Sequence, residues 1–144
     1  MNTRTMALIF GVVFLIVGAG GFIPGLTAMD HMGHPADADV TMRTMFGYEL
    51  GMFPVNVLHS IVHLLFGLWG ILASRGSFGG ARNYFRAVAV IYAVLAVMGL
   101  VAGLQTTFGL IPLYGADVGL HALLAAIAAY FGFVARDAGA TDRG

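Results

Sequence analysis

Four stretches of the chain carry no Asp, Glu, Lys or Arg: residues 5–29, 50–74, 87–116 and 118–135. A hydrocarbon core of about 30 Å takes about 20 helical residues, so each stretch can hold a spanning helix. Pro24, Gly25, Gln105, Thr106, Thr107 and Pro112 are boundary or loop signals, which trims the predicted helices to 6–26, 52–73, 84–105 and 117–135. The pattern predicts an all-α membrane protein. It would be a four-transmembrane-helix bundle of two antiparallel hairpins, one domain over 1–144, with an outer loop at 27–51. Arg4 and the small residues Gly18 to Gly21 also fit a cleaved leader. The apolar run continues through Phe22, Ile23 and Leu26, past the short core of a leader, so a retained helix is expected.

Polar positions interrupt this pattern at two places. Asn56, His59 and His63 are spaced three and four apart, which puts them on one stripe of the second helix. Asp117 and His121 share a face of the fourth, with Asp117 in its first turn, where the helix dipole favours a carboxylate. Ionisable groups at membrane depth are costly and mark functional sites. The segment LHSIVHLLFGLWG from Leu58 aligns without gaps on LHALLAAIAAYFG from Leu120. That likeness predicts a parallel internal repeat of the two hairpins, with His59 and His121 at similar depth and His63 about 6 Å deeper. Gly11 and Gly18, Gly21 and Gly25, and Gly99 and Gly103 are spaced for close helix packing.

Composition sharpens the class: 144 residues, 59% hydrophobic and 10% charged, are too apolar for an ordinary soluble domain. Net charge is zero and no basic cluster occurs, which sets nucleic acid aside. With no cysteine, disulfides, thiolate metal sites and thiol nucleophiles are excluded together. Arg4, Arg75, Arg82, Arg86, Arg136 and Arg143 fall on one side of the predicted helices and only Arg43 on the other, so both termini are expected in the cytoplasm.

The outer loop holds Met29, His31, Met32, His34, Met42 and Met45 among aspartates. Thioethers with imidazoles suit copper, and the segment resembles the Met/His-rich stretches of bacterial periplasmic copper-handling proteins. A solvated loop is the plain alternative.

The set Gly21-Phe22-x-Pro24, Gly51-x-Phe53-x-Val55-Asn56-x-x-His59-x-x-Val62-His63-Leu64-x-x-Gly67, Arg82-x-Tyr84, Tyr92 and Asp117-x-x-Leu120-His121 covers nearly the whole chain. It resembles domain-of-unknown-function family 4383, bacterial membrane proteins with four transmembrane helices. The resemblance implies a multi-pass protein of the bacterial inner membrane and brings no activity with it. Ser60 and the vicinity of Gly115 depart from the family pattern, which often carries Asn there.

Several readings follow from these residues. A transition metal, copper first, would take His59, His63 and His121 as ligands with Asp117 or Asn56 completing or orienting the shell, and Met29, His31, Met32 and His34 as a separate outer-loop set. Haem b would use His59 and His121 as axial ligands. The polar stripe could also pass protons or a small solute. Alternatively these groups only hydrogen-bond between helices, in a structural or accessory protein docked in a homo-oligomer or a larger membrane complex. Enzyme chemistry is not expected: G-x-S-x-G and H-E-x-x-H are absent, and Glu49 has no evident carboxylate partner.

Overall fold

A computed structural model describes residues 2–28 and 33–135. Asn2, Asn56 and Ser77 each turn a side-chain oxygen onto the backbone N–H three residues on, and each starts a helix. α1 is Thr3–Gly20, α2 Val57–Arg75, α3 Phe78–Leu100 and α4 Ala116–Ala129, the last prolonged by a π-helical turn, Tyr130–Val134. Among the described residues, four helices are long and apolar enough to cross a membrane, α4 with its π turn included. The protein is mostly helical rather than all-α. Three short strands, β1 Thr27–Ala28, β2 Gly47–Glu49 and β3 Phe53–Val55, form an antiparallel sheet in the order β1-β2-β3.

The helix limits differ from the predicted ones for local reasons. α1 stops at Gly20 and not at 26, because a helical Pro24 would lack a donor and press on the Gly20 carbonyl. α2 starts at Val57 and not at 52. Pro54 disfavours helix at Phe53, the segment pairs with β2 instead, and Asn56 supplies the cap. α3 starts at Phe78 because Ser77 caps it, and ends at Leu100, ahead of a turn-rich segment in which Gly103 and Gly109 take φ of +88° and +87°. Gly21 and Gly25 therefore lie beyond α1, and Gly103 beyond α3. Gly25 and Gly103 meet nothing, so neither predicted pair is a helix-packing motif.

Close approach is carried by other glycines. Gly11 lies against Gly67 and Ile71, and Gly18 against Ser60 and Leu64, so numbers rise along α1 as they fall along α2. A Cβ on Gly18 would come within 2.8 Å of the Ser60 oxygen and the Leu64 nitrogen, both backbone atoms. α3 and α4 meet likewise, with Gly99 near Leu113 and Val118 and Gly132 near Arg86. Phe10, Phe14, Tyr84, Phe85, Val88 and Tyr92 fill the centre. At the far end, Arg82 and Arg86 both donate Nε–H to the Gly132 carbonyl at 3.0 Å, closing the π turn with cations at a helix C-terminus.

Over the first turns of α2 and α4 sits a cap made of the sheet, a 3-10 turn at Pro35–Asp39 and the segment between α3 and α4. Ala36, Val40, Phe46, Tyr48 and Tyr114 form its small core. Asp37 pins it, accepting the Tyr48 and Tyr114 hydroxyls at 2.8 and 2.6 Å and the Gly33 and His34 N–H groups at 2.8 and 3.1 Å. Burial alone would raise this carboxyl, but those hydrogen bonds outweigh it and hold it below its ordinary 3.8. Burial and the shared Asp37 push the Tyr48 hydroxyl up to about 12, and Tyr114 rises for the same reasons.

Candidate functional site

The cap positions what lies beneath it through Asn56. Its Oδ1 accepts from His59 N at 3.0 Å, while its Nδ2 donates to the Met42 and Leu110 carbonyls at 2.9 and 2.7 Å. One side chain thus caps α2 and ties both cap segments to it. This is where the structure places a predicted ligand: the Asn56 amide is engaged by backbone groups and by no imidazole ring. His34 is likewise employed locally, as the cap of the 3-10 turn and stacked on Tyr114 at 4.5 Å. Met29, His31 and Met32 lie outside the described residues.

His59, on the first turn of α2, and Asp117 and His121, on the first two turns of α4, converge. They are 3, 2 and 3% exposed, and one ligand atom from each lies within 4.8 Å of the others. The rings are held in place. His121 stacks on Tyr92 at 4.8 Å between centroids, and His63 stacks on Phe14 at 5.7 Å. His63 lies a turn deeper than His59, 4.6 Å from it between ring centroids, while His59 and His121 are 6.1 Å apart.

Hydrogen bonding fixes which nitrogens are free. His59 Nδ1 is 3.2 Å from the Pro54 carbonyl, and His121 Nδ1 is 2.8 Å from the Asp117 carbonyl. A carbonyl only accepts, so each Nδ1 carries the proton and each neutral ring keeps its Nε2 lone pair. Asp117 Oδ2 lies 3.1 Å from His121 Nδ1, but that N–H is directed at the carbonyl, and Oδ2 is left buried with no hydrogen bond. His63 Nδ1 is also buried without a partner. Each such orphan costs about 1–3 kcal/mol unless something satisfies it. Two imidazole nitrogens and a carboxylate oxygen, with a third imidazole adjacent, are a donor set that could hold a metal ion.

Two cavities flank the imidazoles. One of about 160 Å³ is lined by His59, His63, Tyr92, Thr107, Leu113 and His121 among others. The other, about 70 Å³, is lined by Glu49, Phe53, His59, His63, Asp117 and Leu120 among others. Sites for drug-sized ligands run about 300–1,000 Å³, and both spaces are smaller. Glu49 is the residue that the linear pattern missed. It falls within the predicted outer loop, and only the pairing of β2 with β1 and β3 carries it to the cavity wall, 7% exposed and without a hydrogen bond to its carboxyl among the described residues. Burial pushes that carboxyl up to about 7.

Residues 4–134 match the family model for a domain of unknown function (DUF4383), and the chain belongs to that family. No curated protein and no solved structure matches the chain.

Proposed function

We propose that this family member is a multi-pass protein of the bacterial inner membrane that holds a divalent transition-metal ion at His59, Asp117 and His121, with His63 in reserve beside them. We read α1 with α2 and α3 with α4 as two antiparallel hairpins related by the repeat at His59 and His121. Large apolar side chains exposed around the bundle, among them Ile16, Leu65, Leu72, Val97 and Leu123, support immersion in lipid. Arg4, Arg75, Arg82 and Arg86 at the end away from the cap support cytoplasmic termini and an outward-facing cap.

The observation that carries the metal reading is the convergence of three buried residues, His59, Asp117 and His121, with one ligand atom of each within 4.8 Å of the others and both rings held by Nδ1 on a carbonyl. Ligating histidines are oriented in just this way, by a hydrogen bond from the other ring nitrogen. A purely structural role explains these bonds less well. Pro54 and Asp117 lie five and four residues from the rings they hold, so the bonds are local and do not tie one helix to another. An N/O donor set suits zinc or oxidised copper; the thioether argument for copper rests on Met29, Met32, Met42 and Met45 of the outer loop and is separate from this site.

Elemental analysis of protein extracted in mild detergent tests the proposal. About one zinc or copper per chain is expected, lost in the triple variant His59→Ala, Asp117→Asn, His121→Ala. Metal-free protein that also fails to take up added Zn2+ or Cu2+ would overturn it.

A further inference from the structure

We infer that Arg4 and Arg75 form a site for the phosphate of an anionic phospholipid, at the arginine end of the seam between α1 and α2. The inference rests on the reading that the bundle lies in lipid and is independent of the metal. An open cavity of about 360 Å³ lies there, lined by Asn2, Arg4, Thr5, Leu8, Ser74 and Arg75. Antiparallel packing brings the two cations together, since the start of α1 meets the end of α2. Arg4 is fixed in place by its Nε–H, which donates to the Ser74 carbonyl at 2.9 Å. Its terminal guanidinium nitrogens make no hydrogen bond among the described residues, and the Arg75 guanidinium makes none with them either.

Charge complementarity names the ligand. The described carboxylates, Asp37, Asp39, Glu49 and Asp117, all stand in or under the cap, at the opposite end of the helices. No described residue therefore answers this pair of positive charges. The other described arginines are already employed, Arg82 and Arg86 on the Gly132 carbonyl and Arg43 on that of Asp37. A guanidinium presents a planar fork of donors that matches phosphate oxygens, and it keeps its charge at any physiological pH. What lies one turn deeper favours a lipid over a free ion. Leu8 is four residues from Arg4 and Leu72 three from Arg75, so each leucine shares its arginine's face, and they are 42 and 58% exposed. A headgroup on the arginines thus leaves its acyl chain against apolar side chains. Two cations suit a lipid of net negative charge, because the ammonium of a zwitterionic headgroup would be repelled by them.

The test titrates the full chain in detergent with phosphatidylglycerol or phosphatidylcholine carrying the same fluorescent acyl chain, for the wild type, Arg4→Gln, Arg75→Gln, the double variant and Arg82→Gln. The wild type is expected to bind phosphatidylglycerol about tenfold or more tightly than phosphatidylcholine, with a loss of about fivefold in each single variant and the preference gone in the double. Arg82→Gln removes the same charge from the same end and should bind as the wild type does. Equal losses in Arg82→Gln and Arg75→Gln would reveal a diffuse attraction to the basic end and overturn the site. No preference for phosphatidylglycerol in the wild type overturns the inference as well; inorganic phosphate whose phosphorus NMR line broadens with the wild type and not with the double variant would then identify a free anion as the ligand. The Arg75 guanidinium holds nothing in the described fold, so Arg75→Gln keeps the test decisive should Arg4→Gln or the double variant not fold. Wild type recovered from the soluble fraction of cells would overturn the immersion in lipid and this inference with it. Wild type recovered from membranes but lacking the lipid preference overturns this inference alone.

Discussion

Asp37 accepts four hydrogen bonds in the cap, two from phenols and two from backbone N–H groups. Its folded-state value lies below the unfolded value near 3.8, so its stabilisation is complete above that pH and is lost as pH falls through the lower, folded value. Asp37→Asn should therefore destabilise the cap by about 2 kcal/mol or more at pH 7, with a difference that shrinks as pH drops below 3.8. Hydrogen exchange of the cap amides at pH 7 and pH 3 measures both. Residue type and spacing in the linear sequence put Asn56, His59 and His63 on one stripe, yet they did not separate the cap residue from the imidazoles. Asn56 works through Met42 and Leu110, partners that are remote in sequence, and no local rule names them.

Among the elements, the α1 and α2 contact depends on small residues at the crossing. Gly18→Ala places a methyl against backbone atoms of Ser60 and Leu64 that cannot swing aside, and an expected cost of about 1–3 kcal/mol follows. Gly25→Ala, with open space around it, should be close to neutral. Thermal unfolding in detergent of the two variants side by side checks this, and equal losses would refute the packing account. Uncharged runs made the four helices legible. Their ends were less so, because Pro24 and Asn56 act through backbone geometry that a hydropathy run does not weigh. β1 to β3 are two or three residues each, too short for a period of two to register.

Taken whole, the molecule has a polar cap at one end of an apolar bundle and arginines at the other. The absence of cysteine from the chain makes single-cysteine reporters clean. Thr41→Cys, in the cap, should react with a membrane-impermeant thiol reagent on intact cells, and Ser77→Cys, between α2 and α3, only after permeabilisation. Labelling in the reverse order would invert the proposed orientation.

The sequence by itself determined the number of long apolar helices, the charge bias between their ends, the family, and the two histidine-bearing turns. Each is a property of composition or of spacing within one helix, where the chain's own period fixes what faces what. Only the tertiary structure decided that His59 meets Asp117 and His121, that Asn56 ties Met42 and Leu110 to α2, and that Glu49 reaches the same cavity. These depend on how separate segments pack, and packing is set by the fit of Gly11, Gly18 and Gly20 against distant side chains and backbone. Such fits are relations between residues far apart in sequence, and no stretch of the chain carries them alone.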